Sequence, residues 1–183
     1  MIDGSHVPFE DNMALTESVT KVANAMGVPV EAELGKVGGK EDDGPAVKGE
    51  NPFTDPDEAK EFVERTKCSS LAVGVGTAHG VYKGTPHIEQ EILKEIRSKV
   101  EVPLVLHGAS GLTDEQVREC VKRGICKVNF ATELRNAYSR AVAAVFEKDP
   151  AVIDPKKYGE AAIEAVKTLV EARMKVCGCA GKA

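Results

Sequence analysis

Short apolar segments alternate along this chain with amphipathic, helix-forming stretches. Four of the segments are continuous apolar runs that end in glycine, a small residue or a polar residue, at positions 28–35, 70–80, 102–110 and 127–133. The first residues, from Met1 to Gly4, have the character of the end of a fifth run. Such runs are typical of parallel strands buried on both faces. Their spacing of about 25 to 40 residues leaves room for one helix in each interval, so the sequence predicts an α/β fold with a parallel sheet.

Capping residues mark the ends of the predicted helices. Asp55 precedes Pro56 and an acidic turn, and Thr113 is followed three residues later by Gln116, which is a capping box. Gly124 stands where the second of these helices is expected to end. A further helix that stops before Pro103 is indicated by apolar residues at Ile88, Ile92, Ile96 and Val100. The remaining helices are predicted at 11–26, 132–148 and 155–176.

Two architectures fit this order of elements, a doubly wound sheet and a (β/α)8 barrel. Both place ligands at the carboxyl ends of the strands. A complete barrel needs about 250 residues, so five strands in 183 residues would be a part of one. Residues 36–52 are rich in Gly, Asp and Glu and have no apolar period, which predicts a long loop over the ligand face.

The composition argues against several classes of partner. The net charge is -5 and no basic stripe with interleaved aromatic residues occurs, so neither nucleic acid nor an anionic membrane surface is expected as the main partner. The sequence has no signal-peptide core and no apolar run of about 18 residues, so neither export nor membrane insertion is expected. Five cysteines without framework spacing favour free thiols in a reducing compartment, which predicts a cytoplasmic location.

Two histidines follow neighbouring apolar runs and are candidates for a shared metal site. His79 and His107 each end such a run, and each is followed directly by glycine. Equivalent ends of successive parallel strands lie close together, near enough for both rings to bind one Zn²⁺. Either residue alone is equally well explained as a structural histidine or an acid-base group, but the matching contexts favour a metal. His6 and His87 lie in loop-like contexts and are predicted to be surface residues.

Acidic residues accompany two of the strands. Glu31 and Glu33 alternate along one strand and therefore point to the same side of the sheet. A carboxylate that points into a barrel core is costly unless it is paired or near a metal, whereas on an edge strand it is simply solvated. The pattern leaves both alternatives open. Asp3, which ends the first strand, presents the same choice.

Groups that can hold phosphate stand at several strand ends. Backbone N–H groups and hydroxyls at a helix N-terminus or strand end can bind a dianion, and Lys83 could add a cation. The plainer alternative is that Ser110 and Thr132 only cap turns or helices. The candidate segments are Gly80, 108–110 and 129–132.

Five strings of residues together resemble the zinc-dependent class II aldolases. They are GTAHGVY at 76–82, LVLHGAS at 104–110, EAELG at 31–35, GGKED at 38–42 and KVNFATE at 127–133. The resemblance spans nearly the whole chain, with the motifs in the family order. It implies a (β/α)8 barrel that cleaves fructose or tagatose 1,6-bisphosphate into dihydroxyacetone phosphate and glyceraldehyde 3-phosphate.

The resemblance also assigns roles to individual residues. His79 and His107 match two of three catalytic zinc ligands, and Glu41 matches the glutamate of the mobile loop that transfers a proton at the carbon next to the carbonyl. Glu33 and Asp3 match carboxylates near the metal that can hold it in alternative positions. A monovalent cation, Na⁺ or K⁺, is often bound beside the phosphate in this family. The positions that match the binding site for the dihydroxyacetone phosphate half are Gly80, Lys83, Gly108, Ser110, Asn129 and Thr132.

The match departs from the family pattern at its start. The first zinc histidine of the family, and the aspartate before it, belong to a strand that would precede Met1. The resemblance therefore implies an incomplete barrel domain over 1–183, about the last five βα units, with no N-terminal strands. An open sheet edge predicts that this chain alone is poorly stable, self-associates or requires the missing half. We expect the complete protein to form a homo-oligomer.

Two functional hypotheses follow, with a weaker third. The first is a class II aldolase whose activity belongs to the complete chain, and the second is a catalytically silent fragment that binds a phosphorylated ligand or a partner chain. A nucleotide-binding, doubly wound domain is disfavoured because no G-x-G-x-x-G follows the first strand. Between the two sugars, the segment 129–134 resembles the tagatose type slightly more than the fructose type.

Overall fold

The computed structural model of the chain describes residues 1–39, 52–82, 84 and 86–182. Glu41 and Lys83 therefore lie outside the described residues. Six helices and six strands follow one another in these ranges: α1 (Phe9–Ala25), β1 (Glu31–Leu34), β2 (Gly38–Gly39), α2 (Pro56–Thr66), β3 (Ser70–Val73), β4 (Ala78–His79), α3 (Gln90–Lys99), β5 (Leu104–Leu106), α4 (Asp114–Lys122), β6 (Ile125–Val128), α5 (Thr132–Lys148) and α6 (Pro155–Val176).

The order of strands in the main sheet decides between the two architectures. The sheet runs β1-β3-β5-β6, with every neighbouring pair parallel. On the other side of β1, Ile2 forms a parallel bridge with Ala32. The strands therefore follow the same order across the sheet as along the chain, whereas the strand order of a doubly wound sheet reverses at a switch point. The structure is a partial (β/α)8 barrel, and the predicted α/β class is confirmed.

Strands β1, β3 and β5 form the core because almost every one of their side chains is excluded from water. Leu71, Ala72, Val73 and all three residues of β5 are fully buried. Helices α2 to α4 each bury a mainly apolar face, so that Phe62 of α2 and Leu93 of α3 are also inaccessible. Burial of a side chain of this size stabilises the fold by about 1.5 to 3 kcal/mol.

Local capping signals place the helix ends as the sequence predicts. Asp55 is the N-cap of α2, where its carboxylate accepts hydrogen bonds from the backbone N–H groups of Asp57 and Glu58. Thr113 and Gln116 form the complete capping box of α4. Gly124 follows the C-cap of that helix with φ +110°, a conformation that favours glycine.

Several strand and helix bounds differ from the prediction. The run 70–80 is not one strand: β3 ends at Val73, the chain bends, and β4 begins at Ala78. The last strand of the sheet begins at Ile125, two residues before the predicted run 127–133, and already ends at Val128. Helix α3 begins at Gln90, after Ile88, and buries Leu93 and Ile96.

The chain divides into two compact units, Met1–Asn129 and Phe130–Ala183. The first contains the sheet and α1 to α4. The second is the helical pair α5 and α6, in which Arg173 forms an ion pair with Glu133 and its guanidinium lies 5.2 Å from the ring centre of Phe130. A single barrel domain over 1–183 stays a prediction. Within the described ranges, no helix is long and apolar enough to span a membrane.

Candidate active site

The two strand-end histidines converge. The bend at 74–77 carries the chain from β3 to β4, where His79 pairs in register with Gly39 of β2. His107 follows β5 directly and is buried. The centroids of the two imidazole rings are 6.1 Å apart. The prediction that these side chains meet is correct, although His79 lies on a separate short strand and not at the end of β3.

Glycines make this bend possible. A Cβ atom on Gly74 would lie 2.7 Å from the carbonyl oxygen of Pro52, and one on Gly76 would lie 2.3 Å from that of His87. Gly76 also has φ +103°, which other residues rarely adopt. The two glycines therefore let the bend that leads to β4 and His79 pass close to neighbouring backbone.

Two carboxylates of β1 flank the imidazole of His107. Its Nε2 is hydrogen-bonded to Glu31 Oε1 at 3.0 Å, and its Nδ1 lies 2.9 Å from Glu33 Oε2. Burial opposes the charged form of the ring, but the carboxylates of Glu33 and Glu31 outweigh it and raise the pKa of His107 above its usual value. Glu33 is 1% exposed, so it is not a solvated acid on an edge strand.

Glu31 connects His107 to a lysine on β6, the strand at the opposite edge of the sheet. Its Oε2 accepts a hydrogen bond from Lys127 Nζ at 2.8 Å. Burial favours the neutral acid, but the hydrogen bonds from Lys127 and His107 dominate together and lower the pKa of Glu31. The first unit thus contains a charged chain of four side chains, in the order Lys127, Glu31, His107 and Glu33.

The loops that follow β5 and β6 are held together by backbone hydrogen bonds. Ala109 N–H donates to the carbonyl of Asn129 at 3.2 Å, and Asn129 N–H donates to that of Leu106 at 2.9 Å. Gly108 has φ +66° and Ser110 is buried. These loops bring Gly108, Ser110 and Asn129 to the carboxyl edge of the sheet, where the sequence predicts phosphate binding.

Tyr82 joins the two histidine loops, and the sequence patterns do not single it out as a site residue. Its hydroxyl accepts a hydrogen bond from Ala78 N–H at 2.7 Å and donates one to the carbonyl of Gly108 at 2.8 Å. Burial raises the pKa of this hydroxyl, so it remains a donor at neutral pH. Its place three residues after His79 is the one signal that the sequence offers.

Comparison with known proteins assigns the family. The sequence model of the family described as "Fructose-bisphosphate aldolase class-II" matches residues 1–182. The chain belongs to the class II fructose-bisphosphate aldolase family. This membership confirms the resemblance carried by the five motifs.

Solved structures of class II aldolases have the same fold. The YdjI aldolase from Escherichia coli K12 is 39% identical, with a TM-score of 0.83 and 99% of this chain covered. A protein from Coccidioides immitis assigned as a fructose-1,6-bisphosphate aldolase is 32% identical, with a TM-score of 0.88 and 100% covered. Fructose-bisphosphate aldolase from Campylobacter jejuni is 25% identical, with a TM-score of 0.79 and 97% covered. The matches cover 61%, 63% and 59% of those chains, so this chain spans about three fifths of their length.

His79, His107 and Glu33 are suited to bind zinc, but they form only part of a ligand set. Two imidazoles that share one zinc ion have centroids roughly 5 to 6 Å apart, close to the 6.1 Å between His79 and His107. Both carboxylate oxygens of Glu33 are buried: Oε2 forms an ion pair with His107 Nδ1 at 2.9 Å, but no well-aligned hydrogen bond from the described residues reaches either oxygen. A buried carboxylate of this kind suits a nearby cation. No group of three His, Cys, Asp or Glu side chains that could hold a metal ion occurs in the described part of the chain.

The remaining predicted residues are distributed as follows. Asp3 accepts hydrogen bonds from the backbone N–H and the hydroxyl of Ser5, at 2.9 and 2.7 Å, and so shapes the turn after the first bridge. Gly80 has φ +93° and open space where a Cβ would stand. Thr132 is the first residue of α5, in the second unit, and is not its N-cap. His6 and His87 are exposed, as predicted.

Proposed function

We propose that these residues form part of the active site of a class II aldolase. The reaction is the reversible cleavage of a ketose 1,6-bisphosphate, fructose or tagatose, to dihydroxyacetone phosphate and glyceraldehyde 3-phosphate. The observation that carries the proposal is the convergence of His79 and His107, at 6.1 Å between ring centroids, beside the buried carboxylate of Glu33.

Zinc is the proposed cofactor. His79 and His107 would hold it, with Glu33 and Asp3 as nearby carboxylates and the third histidine supplied by the complete chain. Bound zinc supplies a Lewis acid that polarises the carbonyl of the substrate. Glu31 contributes by holding the imidazole of His107 in place, because it binds the ring at Nε2.

The phosphorylated end of the substrate would lie at the loops after β4, β5 and β6. Backbone N–H groups near Gly80 and Gly108 and the hydroxyl of Ser110 are donors suited to a dianion. Asn129 and Thr132 would bind the same half of the substrate, with Lys83 and a bound Na⁺ or K⁺ offsetting its charge. Glu41 would move the proton at the carbon next to the carbonyl.

Three further properties belong to the same proposal. The motif at 129–134 leads us to favour tagatose over fructose bisphosphate slightly. The complete protein is proposed to be a cytoplasmic homo-oligomer that acts on a phosphorylated sugar, with neither nucleic acid nor a membrane as partner. Discrimination between sugars that differ at one stereocentre depends on a few contacts, so kcat/KM for both sugars is the relevant comparison.

The test is zinc binding and aldol cleavage by the full-length protein and its His79→Ala and His107→Ala variants. We expect each variant to bind zinc more than about 100-fold more weakly, since loss of an outer-shell partner alone costs about 10- to 100-fold. Cleavage of ketose bisphosphate, followed by triose phosphate release, should fall in parallel. The matched control is His87→Ala, because His87 is 81% exposed and forms an ion pair only with Glu89 among the described residues.

A catalytically silent binding domain is the second candidate. The observation that favours it is the lack of a three-residue metal group in the described part of the chain. A folded full-length protein that binds inorganic phosphate or dihydroxyacetone phosphate, but neither zinc nor a ketose bisphosphate productively, would support this candidate and overturn the first.

A further inference from the structure

Lys127 lies on β6 and binds the carboxylate of Glu31, which lies on β1. Strands β1 and β6 are at opposite ends of the four-stranded sheet. At a strand spacing of about 4.8 Å they would stand roughly 14 Å apart in a flat sheet. Nevertheless Lys127 Nζ donates to Glu31 Oε2 at 2.8 Å. The lysine therefore reaches over β3 and β5, on the face of the sheet that carries Glu31.

Glu31 uses a different oxygen for each of its two partners. Oε2 binds Lys127 at 2.8 Å, and Oε1 binds His107 Nε2 at 3.0 Å. A carboxylate held at both oxygens has a fixed plane, and its partners are fixed in turn. The side chain of Glu31 is 11% exposed, so water competes little for these contacts. Lys127 itself is 53% exposed, which leaves room for a longer cation at this position.

The other side of the His107 ring is different. Nδ1 lies 2.9 Å from Glu33 Oε2 in an ion pair, but no second group among the described residues hydrogen-bonds to the carboxylate of Glu33 to hold it in place. Metal-bound histidines generally donate the N–H that does not face the metal to a carboxylate or carbonyl, which fixes the ring. Glu31, which Lys127 anchors, is suited to accept the Nε2–H of His107. Nδ1, on the side of Glu33, is then the ring nitrogen that would face a metal.

We propose that Lys127 is a positioning residue: through Glu31 it fixes the imidazole of His107 with Nε2–H directed at Glu31 and Nδ1 directed at the Glu33 side. The metal-related part of this inference rests on the proposed function. The placement of the ring does not, because it depends only on contacts among four side chains of this chain.

The test compares Lys127→Met, Lys127→Arg and Lys99→Met in the full-length protein. Methionine keeps the length of the side chain and removes its charge, and arginine restores a cation. Lys99 is the matched control, since it donates to Asp57 at the same distance of 2.8 Å but joins α3 to α2. Circular dichroism establishes that each variant is folded. If Lys127→Met does not fold, Glu31→Gln breaks the same chain with little change of shape.

The first readout is the ring N–H resonance of His107 in the ¹⁵N-labelled, metal-free protein, identified by its loss in His107→Asn. We expect a slowly exchanging Nε2–H signal in the parent, its loss or rapid exchange in Lys127→Met, and its recovery in Lys127→Arg. Lys99→Met should leave it unchanged. An Nε2–H signal that is identical in Lys127→Met, or in Glu31→Gln where that variant is used, overturns the proposal.

The second readout is zinc affinity, measured by competition with a chelator. We expect about a tenfold loss in Lys127→Met, at the lower end of outer-shell effects, and none in Lys99→Met. Unchanged zinc affinity in Lys127→Met, beside a clear loss in His107→Ala, overturns the role toward the metal. If His79→Ala and His107→Ala bind zinc as the parent does, the proposed function fails, and the resonance of His107 alone decides the role of Lys127.

Discussion

Gly108 holds the backbone beside both histidines in a conformation suited to glycine. Its φ is +66°, and a Cβ atom there would lie 2.6 Å from the carbonyl oxygen of Ala78. We expect Gly108→Ala to lower the free energy of unfolding by about 2 to 3 kcal/mol, from backbone strain and the clash together. Because Ala78 precedes His79, the substitution should also weaken the zinc binding that we propose. Urea denaturation and chelator competition measure the two effects.

Gly27 provides the matched control for this substitution. It has nearly the same backbone angle, φ +69°, but no atom lies within 4 Å of the position that a Cβ would take. Gly27→Ala should therefore cost only the backbone strain, about 1 to 2 kcal/mol, and should leave zinc affinity unchanged. Equal losses of stability in both variants would show that the contact with Ala78 is relieved by a small shift and does not constrain the site.

The five thiols should differ in reactivity according to burial. Cys126 and Cys179 are exposed, whereas Cys68 and Cys120 are buried, and burial raises the pKa of both buried thiols. The thiolate is the reactive form. Iodoacetamide at neutral pH should therefore modify Cys126 and Cys179 first, and Cys68 and Cys120 only on unfolding. Peptide mass spectrometry gives the order, and rapid labelling of Cys68 in the native protein would contradict the described core.

At the scale of an element, the capping box of α4 gives a prediction with an internal control. The hydroxyl of Thr113 accepts from Gln116 N–H at 3.2 Å, and the Gln116 side chain accepts from Thr113 N–H at 2.9 Å. Thr113→Ala should destabilise the protein by about 1 kcal/mol, and Thr113→Ser should be nearly neutral. Thermal unfolding measures both. Equal losses in the two variants would mean that the methyl group, and not the hydroxyl, is responsible.

Helix ends can be predicted from the sequence more closely than strand ends, and the reason is physical. The hydrogen bonds of Asp55 and Thr113 reach only two or three residues along the chain, so the signal is local. A strand ends where its partner ends, which the sequence of one strand does not contain. The apolar run 70–80 therefore predicts one strand, although Gly74 and Gly76 allow the chain to bend away after Val73.

The candidate site shows the same division between local and non-local signals. Convergence of His79 and His107 could be predicted from the order of the strands, although the short strand β4 that carries His79, beyond the end of β3, could not. The roles of Lys127 and Tyr82 could not, because each depends on a hydrogen bond between segments that are distant along the chain. The burial of Glu33 could not be predicted either, because it depends on how β1 packs in the assembled sheet.

At the scale of the whole molecule, protection from solvent is uneven across the sheet. All three residues of β5 are buried, and the strand pairs with β3 on one side and β6 on the other. In β6, by contrast, Cys126 and Lys127 are exposed, and the strand pairs only with β5 among the described residues. Local opening should therefore be easier at β6 than in the centre of the sheet.

Native-state hydrogen exchange of the chain 1–183 tests this difference. We expect the amides of Leu71 to Val73 and Leu104 to Leu106 to exchange most slowly, and those of Cys126 to Val128 faster by an order of magnitude or more, because an open edge exchanges through local fluctuations. Repeating the measurement over a range of protein concentrations separates two causes of protection. Slow exchange at β6 that rises with concentration would mean that a second copy covers the edge, the association expected of an exposed strand. Slow exchange at β6 that is independent of concentration would contradict the prediction that this strand opens locally more often than the centre of the sheet.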